Sequence, residues 1–460
     1  MGDREATGAG GARDRGRDKG IAPGLHVVKA LRWFGRGRVL CEAEGVGLTA
    51  AVGHLLPGER ALVEVGADGM LRNARVVEVL TSSPERVLPR CSQASICPGC
   101  SMQHVSVAER ARYAQTLCSE VLERFGGVAW SPDAVRVVMG EEGGHRARTR
   151  LRVRRARGAA AGAGESAGEF SAGDFEVGMA QWPDSSLPFA SLDVCVANAP
   201  LLREAAAAIR AAAATIIAGG DAELSVELEL SSDAAADSGD AGAGADVLWV
   251  IASPPELADE FCRVLRDGLR VPPGMRVEVG HEDRAWTHAN PSMQARLYGE
   301  ALSLVDVAGK RVFDLTCGDG GFTLALARAG ARVWASDRHW EAVQRCASNV
   351  AKAPELAGAI EVRGGDALAV LRGASRRGER VDIVVINPMR EPVGEAVMQA
   401  VDGSEARAVL YLAPAPKAGA KDLGHLVARG WVLSSCLAVD LHPWTGQPMM
   451  VFCALRDALK

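Results

Sequence analysis

Apolar and polar positions in residues 276–460 switch repeatedly between two periods. Short apolar runs such as "RVFDLTC" (311–317), "ARVWASD" (331–337), "IEVRGGD" (360–366), "VDIVVINP" (381–388) and "AVLYLAP" (408–414) have the length and composition of buried strands. Between them, "FTLALARAG" (322–330) and "WEAVQRCASNVAK" (340–352) read as helices. This alternation predicts βα units on a largely parallel sheet, with chemistry in the loops beyond the strands' carboxyl ends.

Residues 25–88 follow a different pattern. "LHVVKALRW", "GRVLCEAEG", "GLTAAVG" and "RALVEVG" are short strand-like runs punctuated by glycine and by Pro57-Gly58. Their spacing predicts a small β-barrel, or else an unspecialised β-domain. A middle segment, 89–275, is interrupted by two low-complexity stretches, 158–173 and 231–246, expected to be exposed loops. The second carries four aspartates and would repel a polyanion. Residues 1–24 are glycine-rich, charged and without periodicity, and are expected to be disordered. The predicted architecture is a multidomain α/β protein with domains at 25–88, 89–275 and 276–460.

Composition narrows the class. With 48% apolar residues and 24% charged ones, the chain reads as a soluble globular protein. It has no uninterrupted apolar stretch near the length of a membrane span and no apolar core in a charged N-terminus, so a cytoplasmic protein without membrane contact is expected. A net charge of −5 means that any binding of a polyanion rests on local charge. Eleven cysteines without a secretion signal point to metal, catalysis or burial rather than disulfides.

Three motifs carry candidate chemistry. In "CSQASICPGCSMQH", Cys91, Cys97 and Cys100 have a C-x5-C-x2-C spacing whose short turn lets thiolates converge on one metal centre. Cys195, in the polar turn "SLDVCVANAP", is the candidate fourth ligand; Cys118, in a helix-like run, reads as core. From spacing alone, zinc and an iron–sulfur cluster are both open, as is scattered burial.

In "HRARTRLRVRRARG", Arg146, Arg148, Arg150, Arg152 and Arg154 alternate strictly, so a strand would carry five guanidiniums on one face. That face needs anions: either acidic neighbours or a phosphate backbone, for which arginine is a bidentate donor.

In "VFDLTCGDGGFTLALA", a strand ends at Asp314, turns through Gly318, Gly320 and Gly321, and enters a helix. Asp337 ends the next strand, placed for ribose hydroxyls, and Asp366 follows the third, where it would face an adenine. The D-x-x-x-G-D-G form favours S-adenosylmethionine over NAD, whose loop prefers G-x-G-x-x-G. An NAD-type oxidoreductase is the fold-level alternative.

With these residues in place, the chain resembles the RNA uracil-C5 methyltransferases, which modify tRNA or ribosomal RNA, from about residue 25 onward. "LPGERALVEV" looks like part of that family's TRAM domain, an OB-like RNA-binding barrel. "CSQASICPGCSMQH" is similar to the family's iron–sulfur motif, which implies a [4Fe-4S] cluster with Cys195 as fourth ligand. "THANPSMQARLY" resembles a cofactor-contacting segment, with His288 where glutamine is usual. "VFDLTCGDGGFT" implies cofactor contacts near Thr316 and Gly321. With Asp337, Asp366 and Asn387, these complete the candidate cofactor set. The expected partner is RNA and the expected state a monomer.

The departures cluster where the family does its chemistry. There a cysteine thiolate adds to uracil C6, making C5 nucleophilic, and a carboxylate later assists loss of the C5 proton. The cysteine lies in a Ser-Cys-Asn-Pro turn; this chain reads Ala413-Pro414-Ala415-Pro416. The glutamate follows a Pro-x-Thr-Gly stretch; "VDLHPWTGQPMM" keeps Pro443, Thr445 and Gly446 and places Met449 there. A third motif, usually Asp-Pro-x-Arg, reads Asn387-Pro388-Met389-Arg390. Catalytic residues are therefore not assigned. Cys436 and Cys453 are the nearby thiols, both in apolar runs that read as core. The readings that follow are a uracil-C5-type methyltransferase, an RNA-binding homologue that keeps cofactor and cluster sites without catalysis, and a methyltransferase acting on a group such as an exocyclic amine that needs no covalent activation.

Overall fold

The computed structural model describes residues 20–156, 175–180, 188–216, 224–232, 246–253, 255–270, 272–273, 275–280 and 289–456. His288, residues 1–19 and nearly all of both low-complexity stretches lie outside the described residues. The chain divides after Arg86 into two compact units.

In the first unit, β1 (Gly24–Trp33), β2 (Val39–Ala43), β3 (Thr49–Val52), β4 (Arg60–Val65) and β5 (Arg75–Thr81) form an antiparallel sheet in the order β3-β2-β1-β4-β5. Alternation explains its single core: Ala61, Val63 and Val65 of β4 are buried while Arg60 and Glu64 face outward. Residues 20–24 depart from the expected disordered tail. Ile21 is buried, its N–H donates to the Gly69 carbonyl at 2.9 Å, and β1 already begins at Gly24. The fully buried carboxylate of Glu59 accepts from Leu56 N–H at 2.8 Å and from Arg86 Nε at 2.6 Å, which ties the last residue of the unit into it.

The second unit contains two sheets among the described residues. The smaller is built from β7 (Arg148–Arg155), β8 (Phe175–Met179), β9 (Ala190–Ser191), β10 (Leu224–Ser232), β11 (Asp246–Ser253) and β12 (Arg276–Val279), ordered β12-β11-β10-β7-β8-β9. Helices α2 (Pro200–Ile216) and α3 (Ala258–Gly268) share its apolar core, where Leu151 and Val153 of β7 meet Leu202, Ile209, Phe261 and Leu265.

The larger sheet holds β6 (Val135–Val138), β13 (Arg311–Asp314), β14 (Arg332–Asp337), β15 (Ile360–Gly364), β16 (Ile383–Ile386), β17 (Ala408–Ala413), β18 (Trp431–Val439) and β19 (Met449–Arg456), ordered β15-β14-β13-β16-β17-β19-β18-β6. The five strands from β15 to β17 are parallel, and every residue of β16 and β17 is buried, as expected for strands covered on both faces. On one face pack α1 (Val107–Val121), α7 (Ala367–Arg376), α8 (Glu395–Asp402) and α9 (Pro416–Val427); on the other pack α4 (Pro291–Leu302), α5 (Gly321–Arg328) and α6 (Trp340–Ala351).

The middle segment, expected as one domain over 89–275, is divided between these sheets. Its α1 and β6 belong to the larger one, where β6 pairs in parallel with β18 in the register Cys436↔Val135 to Val439↔Val138. The physical reason is edge closure: β18 would otherwise present a row of unpaired backbone groups.

The turn after β17 is tighter than its proline-rich sequence suggests, because Pro416 is already the first residue of α9, where its missing N–H costs nothing. Asp422 of α9 is fully buried. Its carboxylate accepts from Tyr411 OH at 2.6 Å and from the N–H groups of Val393 and Gly394 at 2.8 and 3.0 Å. One side chain thus joins β17 to the segment that follows β16. Replacing it strands the buried Tyr411 hydroxyl and two part-buried backbone N–H groups, so Asp422→Ala is expected to lower unfolding stability by about 3 kcal/mol. Chemical denaturation of the full chain checks this; an unchanged midpoint would show that water replaces the carboxylate.

Candidate functional site

The carboxyl ends of β13, β14, β16 and β17 open on a cleft of about 820 Å³, within the size range of small-molecule sites. Its walls come from three sources. Thr316, Gly318, Asp319 and Asp337 belong to the first two βα loops; Asn387 through Arg390 and Pro414 follow the later strands. Arg146, Arg148, Arg150 and Met179 come from the smaller sheet and its approach, and His442, Thr445 and Gln447 from the connection between β18 and β19, with Met449 at the start of β19.

The glycine loop is shaped by steric need. Gly318 and Gly320 have φ of 57° and 87°, and a Cβ on Gly320 would lie 2.7 Å from Cys346 Sγ. A Cβ on Gly321 would stand 3.1 Å from Tyr298 OH, a tight contact that a side chain there would need the tyrosine to shift to relieve. Asp337 accepts from Gly318 N–H at 3.2 Å and His339 N–H at 2.9 Å, which holds the first loop against the second. Thr316 Oγ1 accepts from Asn387 N–H at 2.6 Å and ties the first loop to the end of β16. Beneath them Asp314 is buried and receives the Thr323 hydroxyl at 2.7 Å. Burial pushes its carboxyl up to about 6, partly opposed by the Thr323 and backbone hydrogen bonds and reinforced by Asp337.

Of the candidate cofactor residues, Thr316, Asp337 and Asn387 line the cleft together. Gly321 opens α5, its N–H donating to Asp319 at 3.1 Å. Asp366 is exposed, is not among the lining side chains, and caps α7 by accepting from Leu368 N–H at 2.9 Å. Sequence reasoning passed over Gln294 and Tyr298, which line the cleft and are joined at 2.8 Å. Their i, i+4 spacing in "PSMQARLY" was the available signal, since it places both on one face of a helix.

Of the two sources of anions expected for the arginine row, acidic neighbours meet much of it, and the row is shorter than its sequence suggests. Regular pairing begins only at Arg148; Arg146 precedes the strand in an isolated bridge to Asn198. The neighbouring β10 sets Glu229 opposite Arg148 and Glu227 opposite Arg150. Arg148 pairs with Glu227 and Arg150 with Glu227 at 2.7 Å, while Arg154 is buried against Glu176 at 2.8 Å and over the Phe189 ring at 4.0 Å. Much of the row's charge is therefore met inside the protein. Arg150 keeps 69% of its side chain exposed at the cleft wall, and Arg152 is exposed as well.

Cys100 is buried, whereas Cys91, Cys97 and Cys195 are partly exposed. Burial, with Cys100, Cys195 and Cys91 as charged neighbours, raises the Cys97 thiol to about 11, against a backbone hydrogen bond from Gly99. The four side chains therefore lie within electrostatic reach of one another. Among the described residues, no three Cys, His, Asp or Glu side chains gather closely enough to hold a single metal ion.

Pro414 and Met449 both line the cleft. Cys436 and Cys453 do not: each is buried in the sheet. A hydrogen bond with Cys118, with burial, holds the Cys436 thiol far above its ordinary range; burial raises Cys453. The one thiol among the described lining residues is Cys317, itself held far up by a hydrogen bond with Cys346 and by burial.

A parallel sheet with this glycine loop and an acid at the end of its second strand defines a Rossmann-like domain of the kind that binds nucleotide-type cofactors. Comparison with known proteins narrows the class. The structure matches Pyrococcus abyssi tRNA (uracil-54, C5)-methyltransferase, solved in complex with S-adenosyl-L-homocysteine, with a TM-score of 0.62 at 15% identity, over 93% of this chain and 100% of that one. The 23S rRNA (uracil(1939)-C(5))-methyltransferase RlmD of Edwardsiella ictaluri is 27% identical over 90% of this chain and 91% of its own. Its namesake in Stenotrophomonas maltophilia strain K279a is 29% identical over 89% and 92%. No protein-family profile matches the chain. Along nine-tenths of its length the chain thus resembles RNA uracil-C5 methyltransferases.

The buried carboxyls give the site a pH signature. Asp314 and Asp440 are each raised to about 6, in both cases chiefly by burial. A carboxyl whose folded value exceeds its unfolded one binds protons preferentially in the folded chain. Its stabilising contribution is complete below about pH 4 and is lost as pH rises through about 6. Asp314→Asn should remove this term, flattening the fall in stability between those values by up to about 3 kcal/mol. Melting temperature against pH measures it, and parallel profiles for the two proteins would refute the assignment.

Proposed function

We propose that this chain is an S-adenosylmethionine-dependent RNA methyltransferase of the uracil-C5 type, acting as a monomer on a ribosomal or transfer RNA in the cytoplasm. The observation that carries the reading is the joining of two half-sites in one cleft, the glycine loop with Asp337 on one side and the arginine wall with Arg150 on the other. The residues fit the cofactor. Asp337 would accept from ribose hydroxyls, the bare backbone at Gly318 admits a ligand close to the loop, and Gln294, Thr316 and Asn387 supply polar atoms around it. When bound, S-adenosylmethionine supplies an electrophilic methyl group. The chain's own part is to hold the acceptor base: Arg150 and Arg152 face the phosphate backbone, and Met179, Met389 and Pro388 present apolar surface to the base. The first unit fits an OB-like TRAM barrel as a further RNA contact.

Cys91, Cys97, Cys100 and Cys195 would hold a [4Fe-4S] cluster. A cubane spreads its four thiolates wider than one zinc ion does, which suits four interacting cysteines that do not close on a single ion. Its role would be structural, since none of the four lines the cleft.

A second reading has its own support. Pro414 and Met449 occupy the cleft where the uracil-C5 reaction calls for a thiol and a carboxylate, and no other reactive thiol faces it among the described residues. On that reading the chain binds cofactor and RNA without transfer to C5, or transfers to an exocyclic amine near the Asn387 amide.

The test is incubation of the cluster-loaded chain with unmodified RNA and methyl-labelled cofactor, followed by nucleoside analysis. Labelled 5-methyluridine is expected for the first reading; an N-methylated nucleoside, or none with binding retained, selects the second. If the chain is silent, Pro414→Cys with Met449→Glu should raise 5-methyluridine formation by about 100-fold or more over background. Independently, Asp337→Ala is expected to weaken S-adenosylhomocysteine binding about 10- to 100-fold by calorimetry. Unchanged affinity would remove Asp337 from the site.

A further inference from the structure

The connection between β18 and β19, residues 440–448, supplies three cleft-lining side chains besides Leu441, yet it has no regular secondary structure to hold it; Met449, which also lines the cleft, opens β19. At its centre, Trp444 is 3% exposed and has a φ of 68°, a left-handed conformation that a bulky side chain adopts only when its surroundings over-determine it. Those surroundings are the segment that follows the cysteines. Met102 N–H donates to the Trp444 carbonyl at 2.8 Å, and Ser101 Oγ to the Thr445 carbonyl at 3.0 Å. The Trp444 ring packs with Cys100 and Ala197, beside Cys195. Its Nε1 donates to Glu142 at 3.2 Å; Glu142 in turn pairs with buried Arg110, which also reaches Asp440 at 3.3 Å. Tyr113 OH, from α1, donates to the Gly446 carbonyl at 2.9 Å.

We infer that Trp444 is a positioning residue through which the cysteine segment holds the cleft loop, so that loading of the cysteine site and order of residues 440–448 are coupled. The coupling rests on the cluster reading above; the positioning role does not. Two of the four candidate ligands touch or flank the ring, and the two residues after Cys100 bond the backbone on both sides of its peptide. Filling the site immobilises Cys100 and Cys195, and with them the ring and carbonyl that keep Thr445 and Gln447 facing the cleft. Thiols released from the centre leave the strained Trp444 backbone free to relax toward negative φ, which turns those side chains out of the wall.

Hydrogen exchange by mass spectrometry on the full chain tests this, with α5 as internal reference. Trp444→Ala should speed exchange across 440–448 about tenfold without changing α5. Trp444→Phe, which keeps the ring against Cys100 and loses only the Glu142 bond, should restore most of the protection. Ser101→Ala, a milder change, should give a smaller rise and serves if Trp444→Ala does not fold. Chelator-stripped wild-type protein should match Trp444→Ala, and stripping the variant should add nothing, while iron–sulfide absorbance of the loaded variant is retained. Equal exchange in wild type and all three variants overturns the positioning role. Equal exchange in loaded and stripped wild type overturns the coupling. A chain that takes up neither iron nor sulfide defeats the cluster reading and the coupling with it, and the Trp444→Ala comparison in metal-free protein still decides the positioning role.

Discussion

Loops at strand ends form much of the cleft, and each such loop carries backbone N–H groups with no partner in a sheet or helix ladder. Satisfying them is the constraint on which the site depends. The chain meets it with side-chain oxygens rather than with more secondary structure. Asp337 accepts from Gly318 and His339, Thr316 from Asn387, Asp422 from Val393 and Gly394, and Asn290 from Met293. The bonds to Gly318, Asn387, Val393 and Gly394 join loops between 19 and 71 residues apart, whereas those to His339 and Met293 shape their own loop. Where the donor is buried, as the Tyr411 hydroxyl on Asp422 is, losing the acceptor costs more than the bond itself contributes.

Charge is handled by the same economy. The arginine strand would repel itself if left alone, and β10 answers it with Glu227 and Glu229 on the facing register. What remains toward solvent is a narrow strip of exposed guanidinium at the cleft wall. A chain of net charge −5 can thus present cationic surface to a polyanion at one place while its aspartate-rich stretch lies in a different part of the sequence.

The chemistry at the cleft is divided. On the proposed reading the cofactor would meet an acid, a glycine loop and polar atoms, whereas the base would meet proline and methionine where a thiol and a carboxylate would react. Pro414 follows a fully buried strand and Pro416 starts a helix, so the turn is rigid and in place without its nucleophile. The scaffold and the reaction are therefore separable: the fold requires the turn, and only the reaction requires the thiol.

Much of this was legible from residue order. The alternating periods identified the parallel strands, the glycine loop and the acid at Asp337, because burial on both faces and a tight strand-to-helix turn each leave a local pattern. The spacing of Cys91, Cys97 and Cys100 marked a candidate centre for the same reason. Other features needed the tertiary structure. Arg150 meets a carboxylate 77 residues away, β6 leaves its neighbours to close the edge beside β18, Asp366 turns out to cap a helix, and Gln294 and Tyr298 reach the cleft only because α4 lies against the glycine loop. Local periodicity determined which segments form strands and helices and where their loops fall. Only tertiary pairing decided which charges are neutralised, which edges are covered and which side chains share the cleft, because each of those outcomes depends on register between segments that carry no record of one another in their own sequence.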